Sequence, residues 1–129
     1  MATNAPSAQQ LLEALQTFLL EKISPQVDAH SAYHCKVAAN VLRIVGREIS
    51  LGGSHSESES ARLTTLLKKS GSMDFLNAEL CHDIRNGNFT LEDEQLKSHL
   101  WATTLEKLAI DNPRYSTYQK IIKTQKEVL

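Results

Sequence analysis

The chain is poor in aromatic residues: three Phe, three Tyr and one Trp make up 5% of its 129 positions. Sandwiches and barrels draw their cores from aromatic and β-branched strands, so this scarcity points to helices packed through Leu, Ile, Val and Ala. An excess of one charge is also missing. Fourteen basic and fifteen acidic residues leave a net charge of −1, without the basic surplus from which nucleic-acid binders take much of their affinity. Nucleic acid is therefore not an expected partner. No apolar run approaches the roughly 20 residues that span a bilayer, so a membrane is not expected either.

Cysteine is scarce as well. Cys35 and Cys81 stand far apart inside helical patterns, and the polar first ten residues lack the basic and apolar regions of a secretory signal. Reduced, buried thiols in a cytoplasmic protein are the expectation. The familiar catalytic signatures are absent too: no G-x-S-x-G, no phosphate-binding glycine loop, no C-x-x-C and no H-E-x-x-H. An accessory role is expected over an independent enzyme, and no cofactor is implied.

What is present is helical periodicity along nearly the whole length. A 1–129 single helical domain is expected, with a flexible N-terminus over 1–7. Ser7 with Gln10 predicts a capping box, followed by a stripe of Leu11, Leu12, Leu15, Phe18 and Leu19 that ends at Ser24-Pro25. A second helix is predicted from Ser31 to Leu51 and stopped by Gly52-Gly53. Val37, Ala38, Val41, Leu42, Val45 and Ile49 form its buried face, with Lys36, Arg43 and Arg47 opposite. The Ser/Glu/His stretch over 53–60 reads as a solvated loop. A third helix then runs to Ser70-Gly71, and a fourth covers Asp74 to Asn86, stopped by Gly87. A fifth spans Leu91 to Ile110 and is expected to be the most enclosed, because its apolar residues spread over more than one face. Asn112 as cap and Pro113 as first residue open a sixth. The fold class is all-α, about six helices in an up-and-down bundle or irregular helical array.

Three stretches, Tyr33 to Leu42, Leu76 to Gly87 and above all Leu105 to Ser116, resemble a mostly bacterial family, domain of unknown function 6285. Members of that family are typically encoded beside, or joined to, kinases resembling aminoglycoside phosphotransferases. The resemblance implies a helical accessory domain acting with such a kinase in acyl-CoA or hydroxy-acid metabolism. The apolar side of the last helix (Tyr118, Ile121, Ile122, Val128, Leu129) is the expected docking face, with core packing or a homodimer seam as the alternative for the same residues.

Three candidate sites follow from spacing. His30 and His34, four apart, share a helical face as metal ligands often do. No third ligand stands at diagnostic spacing, and a buried, hydrogen-bonded His34 is the plainer reading. Asn40 and Arg43 could grip a carboxylate or phosphate, or serve as an interhelical hydrogen bond and a solvated arginine. The corner Asp111, Asn112, Pro113, Arg114 and Tyr115, with Lys107 nearby, offers a small-molecule or anion site if a helix begins at Pro113. The same residues suffice for a cap, a bend and a packed corner.

Overall fold

A computed structural model describes residues 4–128. Among them the regular structure is entirely helical: α1 (Ala8–Thr17), α2 (Ala29–Leu67), α3 (Met73–Arg85), α4 (Glu94–Asp111) and α5 (Ser116–Val128). A π-helical turn (Phe18–Ile23) and a 3-10 turn (Ser24–Gln26) lie between α1 and α2. The all-α class holds, with five α-helices where about six were expected. Contacts cluster into two units, Met1–Gly52 and Gly53–Leu129, and α2 contributes residues to both.

The shortfall of one helix has a definite cause. The predicted second helix, the predicted loop over 53–60 and the predicted third helix are all α2. Gly52 and Gly53 do not act as a C-cap. The glycines with positive φ are Gly71 and Gly87, whereas a cap of the expected kind needs that conformation. Two helical glycines cost about 2 kcal/mol relative to alanine, an amount that tertiary contacts made further along α2 offset. The helix ends instead at Leu67, where Lys68 takes φ 56°.

Caps elsewhere form through local hydrogen bonds, the predicted capping box at Ser7 among them. The Ser7 hydroxyl accepts from Gln10 N at 3.2 Å while the Gln10 side chain accepts from Ser7 N at 2.8 Å. Asp28 caps α2 by accepting from Ser31 N at 3.1 Å, and this hydrogen bonding holds its carboxyl below the ordinary value. Ser72 caps α3 through Phe75 N, and Asn86 with Gly87 closes it. Helix α4 starts at Glu94, not Leu91, because the Asp93 carboxylate accepts from Thr90 N and ties the preceding residues into a turn.

In the second unit the core is a cluster of Leu63, Leu66, Leu67, Leu76, Leu80 and Leu96, with Met73 and Phe89 packed against it. Leu63 and Leu76 are fully enclosed. Helix α4 is less enclosed than expected: Leu96, His99 and Ile110 are buried, but Leu100 and Trp101 lie on the surface. In α3, Leu76 and Leu80 point inward, while Phe75 and Ile84 are exposed. Both cysteines are free thiols. Cys35 is half-buried, and Cys81 is exposed where burial was expected.

The first unit contrasts with this. Its one buried hydrophobic residue among those described is Ala39. Gly46, seven residues on and therefore on the same face of α2, is buried too. The Gln9 side chain of α1 lies over it, such that an added Cβ would meet the amide at 3.1 Å. Small residues let α1 approach, so the contact forms at the border of the predicted apolar and basic faces. Most of the predicted buried stripe is left uncovered: Val37, Val41, Val45 and Ile49 are all exposed.

Candidate functional site

The residues singled out from spacing are only partly brought together. His30 and His34 meet, with their Nε2 atoms 3.1 Å apart and rings edge-to-face at 4.5 Å, and Tyr33 packs edge-on to His34. Both histidines are exposed, so His34 is a surface residue where a buried one was expected. Among the described residues no group of three or more His, Cys, Asp or Glu could hold a metal ion. Asn40 is exposed and Arg43 half-buried; both belong to the first unit, whereas the Asp111 to Tyr115 corner belongs to the second.

At that corner the expected helix start does not form at Pro113. Asn112 closes α4, its N–H donating to Leu108 O at 3.0 Å, and Tyr115 N donates back to Asn112 O at 3.1 Å. Helix α5 begins only at Ser116. The Gln119 side chain donates to the Pro113 carbonyl, which turns an acceptor, not a row of donors, toward this helix end. Lys107, Asp111, Asn112, Arg114 and Tyr115 are all exposed. Tyr118 of the expected docking face is buried, Val128 is exposed, and Leu129 lies outside the described residues.

The most organised polar cluster is one that spacing did not single out. Arg62 of α2 faces His99, Thr103 and Glu106 of α4. Its two terminal nitrogens hold the Glu106 carboxylate at 2.8 and 2.9 Å in a bidentate fork. One of them also donates to Thr103 Oγ1 at 3.1 Å, and Nε points to His99 Nδ1 at 3.4 Å. Residues 99, 103 and 106 fall at i, i+4 and i+7 on α4. His55, Glu59 and Arg62 have the same spacing on α2, so each set forms one stripe. That spacing was present in the sequence, but it has meaning only if 53–60 is helical.

The electrostatics follow from this packing. The Arg62 guanidinium holds the Glu106 carboxyl below its ordinary value, and Glu106 in turn raises Arg62. Burial, then the Arg62 charge, lower the pKa of His99. A neutral His99 that accepts at Nδ1 must carry its proton on Nε2. Nearby, His55 Nδ1 is buried without a hydrogen-bond partner.

Beside the cluster lies an open concavity of about 480 Å³ with Arg62, Thr65, Leu66, Ser98 and His99 in its wall. Its chemistry is limited. Most of the Arg62 donors are already engaged by α4, so the guanidinium is an anchor between helices and a poor receptor for a second anion. The geometry defines an all-helical domain whose best-formed polar site is a structural clasp, with a large apolar surface on the other unit.

The Domain of unknown function (DUF6285) model matches residues 25–115. That is most of the chain, which therefore belongs to this family. No curated protein and no solved structure matches it. No helix among the described residues is long and apolar enough to cross a membrane.

Proposed function

We propose that the chain is a non-catalytic assembly domain that acts by binding protein through its first unit. One observation carries this reading: among the described residues the first unit has sixteen large apolar side chains (Leu, Ile, Val, Phe and Tyr) and fully buries none of them, and its longest apolar ridge is uncovered. A helical layer is stable when a second layer covers its apolar face, and contiguous apolar surface of this kind marks interaction sites. The partner implied by the family resemblance is a phosphotransferase-like kinase, in acyl-CoA or hydroxy-acid metabolism. Co-expression with a phosphotransferase-like kinase of the kind the family accompanies, followed by affinity capture, tests this. Retention of the kinase by the wild-type chain and loss by Val41→Glu is the expected result. Equal retention by both removes the apolar ridge from the account.

A second reading, small-molecule binding, is favoured by the concavity beside Arg62 and His99, whose volume of about 480 Å³ suits a small ligand. This relocates the expected small-molecule site from the Asp111 to Tyr115 corner. Thermal-shift screening of the wild type against Ser98→Trp, which fills the concavity, tests it: a ligand that stabilises only the wild type supports the reading, and one that stabilises both refutes it.

A further inference from the structure

The contact between His30 and His34 is more specific than two surface rings touching. Both residues lie in the first two turns of α2, four apart and so on one face, and both are exposed. Their Nε2 atoms are 3.1 Å apart, while the ring centres stand at 4.5 Å with the planes at 84°. A linear N–H···N bond across the same gap would hold the centres about 5.4 Å apart, because each ring adds roughly 1.1 Å behind its nitrogen. The rings are therefore folded toward each other, which bends the hydrogen bond between them and weakens it.

We propose that His30 and His34 form a two-imidazole clamp for a divalent late first-row transition metal ion. The nitrogens stand where such an ion needs them: bonded to both at about 2.05 Å, the usual imidazole distance, it would hold them at an angle of about 100°. That lies between the roughly 90° of tetragonal Cu²⁺ or Ni²⁺ and the roughly 109° of tetrahedral Zn²⁺. Imidazole suits all three ions, and intrinsic affinity places Cu²⁺ first. Mg²⁺ and Ca²⁺ demand oxygen donors and do not fit a pair of nitrogens. Among the described residues no third His, Cys, Asp or Glu joins the pair, so the remaining positions fall to water or to a donor from outside the chain.

The surroundings agree with this use. A helical spacing of four is met by buried histidines as well, and burial would put His34 out of an ion's reach; here the stripe it shares with Val37 and Val41 is uncovered. The helix holds both rings within reach of one point before any ion arrives, with Tyr33 edge-on to His34 at 5.8 Å, so little side-chain freedom is left to lose on binding. The positive end of α2 opposes a cation in the first turn. Asp28, which caps this helix by accepting from Ser31 N at 3.1 Å, brings a carboxylate to the same turn and offsets it.

Zinc chloride titrated into the isotope-labelled full chain, followed by the imidazole NMR resonances, tests this. Zn²⁺ is expected to shift Nε2 of His30 and of His34 together, on one saturation curve with one ion per chain, before His55, His82 or His99 moves, and Cu²⁺ is expected to displace it. His30→Gln and His34→Gln are surface changes that leave the helical circular dichroism in place. Each is expected to weaken binding at least as much as the roughly 10–100-fold that loss of an outer-shell partner costs a metal site. The proposal is overturned if either single variant binds Zn²⁺ as tightly as the wild type, if only one of the two rings shifts, if another histidine saturates first, or if Cu²⁺ fails to displace the ion. Absence of any shift at millimolar Zn²⁺ overturns it as well.

Discussion

The clasp between Arg62 and α4 makes a quantitative demand. An exposed ion pair contributes about 0–1 kcal/mol, whereas removing one partner of a fully buried pair costs about 3–5 kcal/mol. The Arg62 and Glu106 side chains are 25% and 20% exposed, and the fork is bidentate, so the expectation lies between these limits. Glu106→Ala is expected to destabilise the chain by about 2 kcal/mol. Arg62→Ala costs somewhat more, because it also removes the donor to Thr103, the contact with His99 and the packing of the arginine stem. The double variant is expected to lose less than the sum, with a coupling of about 1–2 kcal/mol, since the second substitution removes a group already left without its partner. Urea unfolding followed by helical circular dichroism measures this. For a chain of this size a 2 kcal/mol loss lowers the midpoint by about 1–2 M. Additivity of the two single effects to within about 0.5 kcal/mol would show that the fork is not formed in solution.

Other consequences are as direct. Leu76→Ala, at a fully enclosed position of the leucine cluster, is expected to cost about 3 kcal/mol by the same assay; a loss under about 1 kcal/mol would mean the cluster is not packed. Gly53→Ala places a methyl group in open space within α2 and is expected to stabilise by about 1 kcal/mol, whereas a left-handed C-cap glycine at this position would give a loss of similar size. Stability also depends on pH. The lowered pKa of His99 means that the unfolded chain takes up a proton near 6.5 that the folded chain refuses. Its contribution is complete above that value and declines as pH falls toward the folded pKa. The lowered Glu106 acts in the same direction further down, as pH falls below its ordinary value of 4.5. Unfolding midpoints between pH 8 and 4 are expected to fall on acidification, and Arg62→Met to shift the His99 step upward, as followed by its imidazole NMR resonance. A flat profile through pH 6.5 would refute the neutral, buried His99.

Much of this fold was legible in single residues. Ser7 with Gln10 before α1 and Asn86-Gly87 after α3 both act locally, through hydrogen bonds between neighbours in sequence, and each sits where its chemistry placed it. The errors came where a local signal competed with distant contacts. Gly52-Gly53 has the composition of a helix stop, but helix α2 is carried across it while Leu63, Leu66 and Leu67 beyond are held in a core built with α3 and α4. Reading that segment as a loop also concealed the polar stripe of His55, Glu59 and Arg62. Likewise Asn112 and Pro113 are equally able to end one helix or begin another, and only the hydrogen bonds to Leu108 and from Tyr115 decide between them.

The apolar stripe of α2 gives a different lesson. Periodicity identified Val37, Val41, Val45 and Ile49 as residues that need cover, but could not specify which surface covers them. Within the chain α1 takes the neighbouring face at Gly46, where the absent side chain permits a close approach of Gln9. The exposed stripe is thus the part of the core pattern that the chain itself does not cover.

Native mass spectrometry of the chain co-expressed with the kind of phosphotransferase-like kinase proposed as its partner tests this most directly, because one spectrum resolves self-association and kinase binding by mass. The account predicts a complex of the wild-type chain with the kinase, and its disappearance in Val41→Glu. Complexes of unchanged mass and abundance in that variant, or a wild-type chain seen only alone, would contradict it.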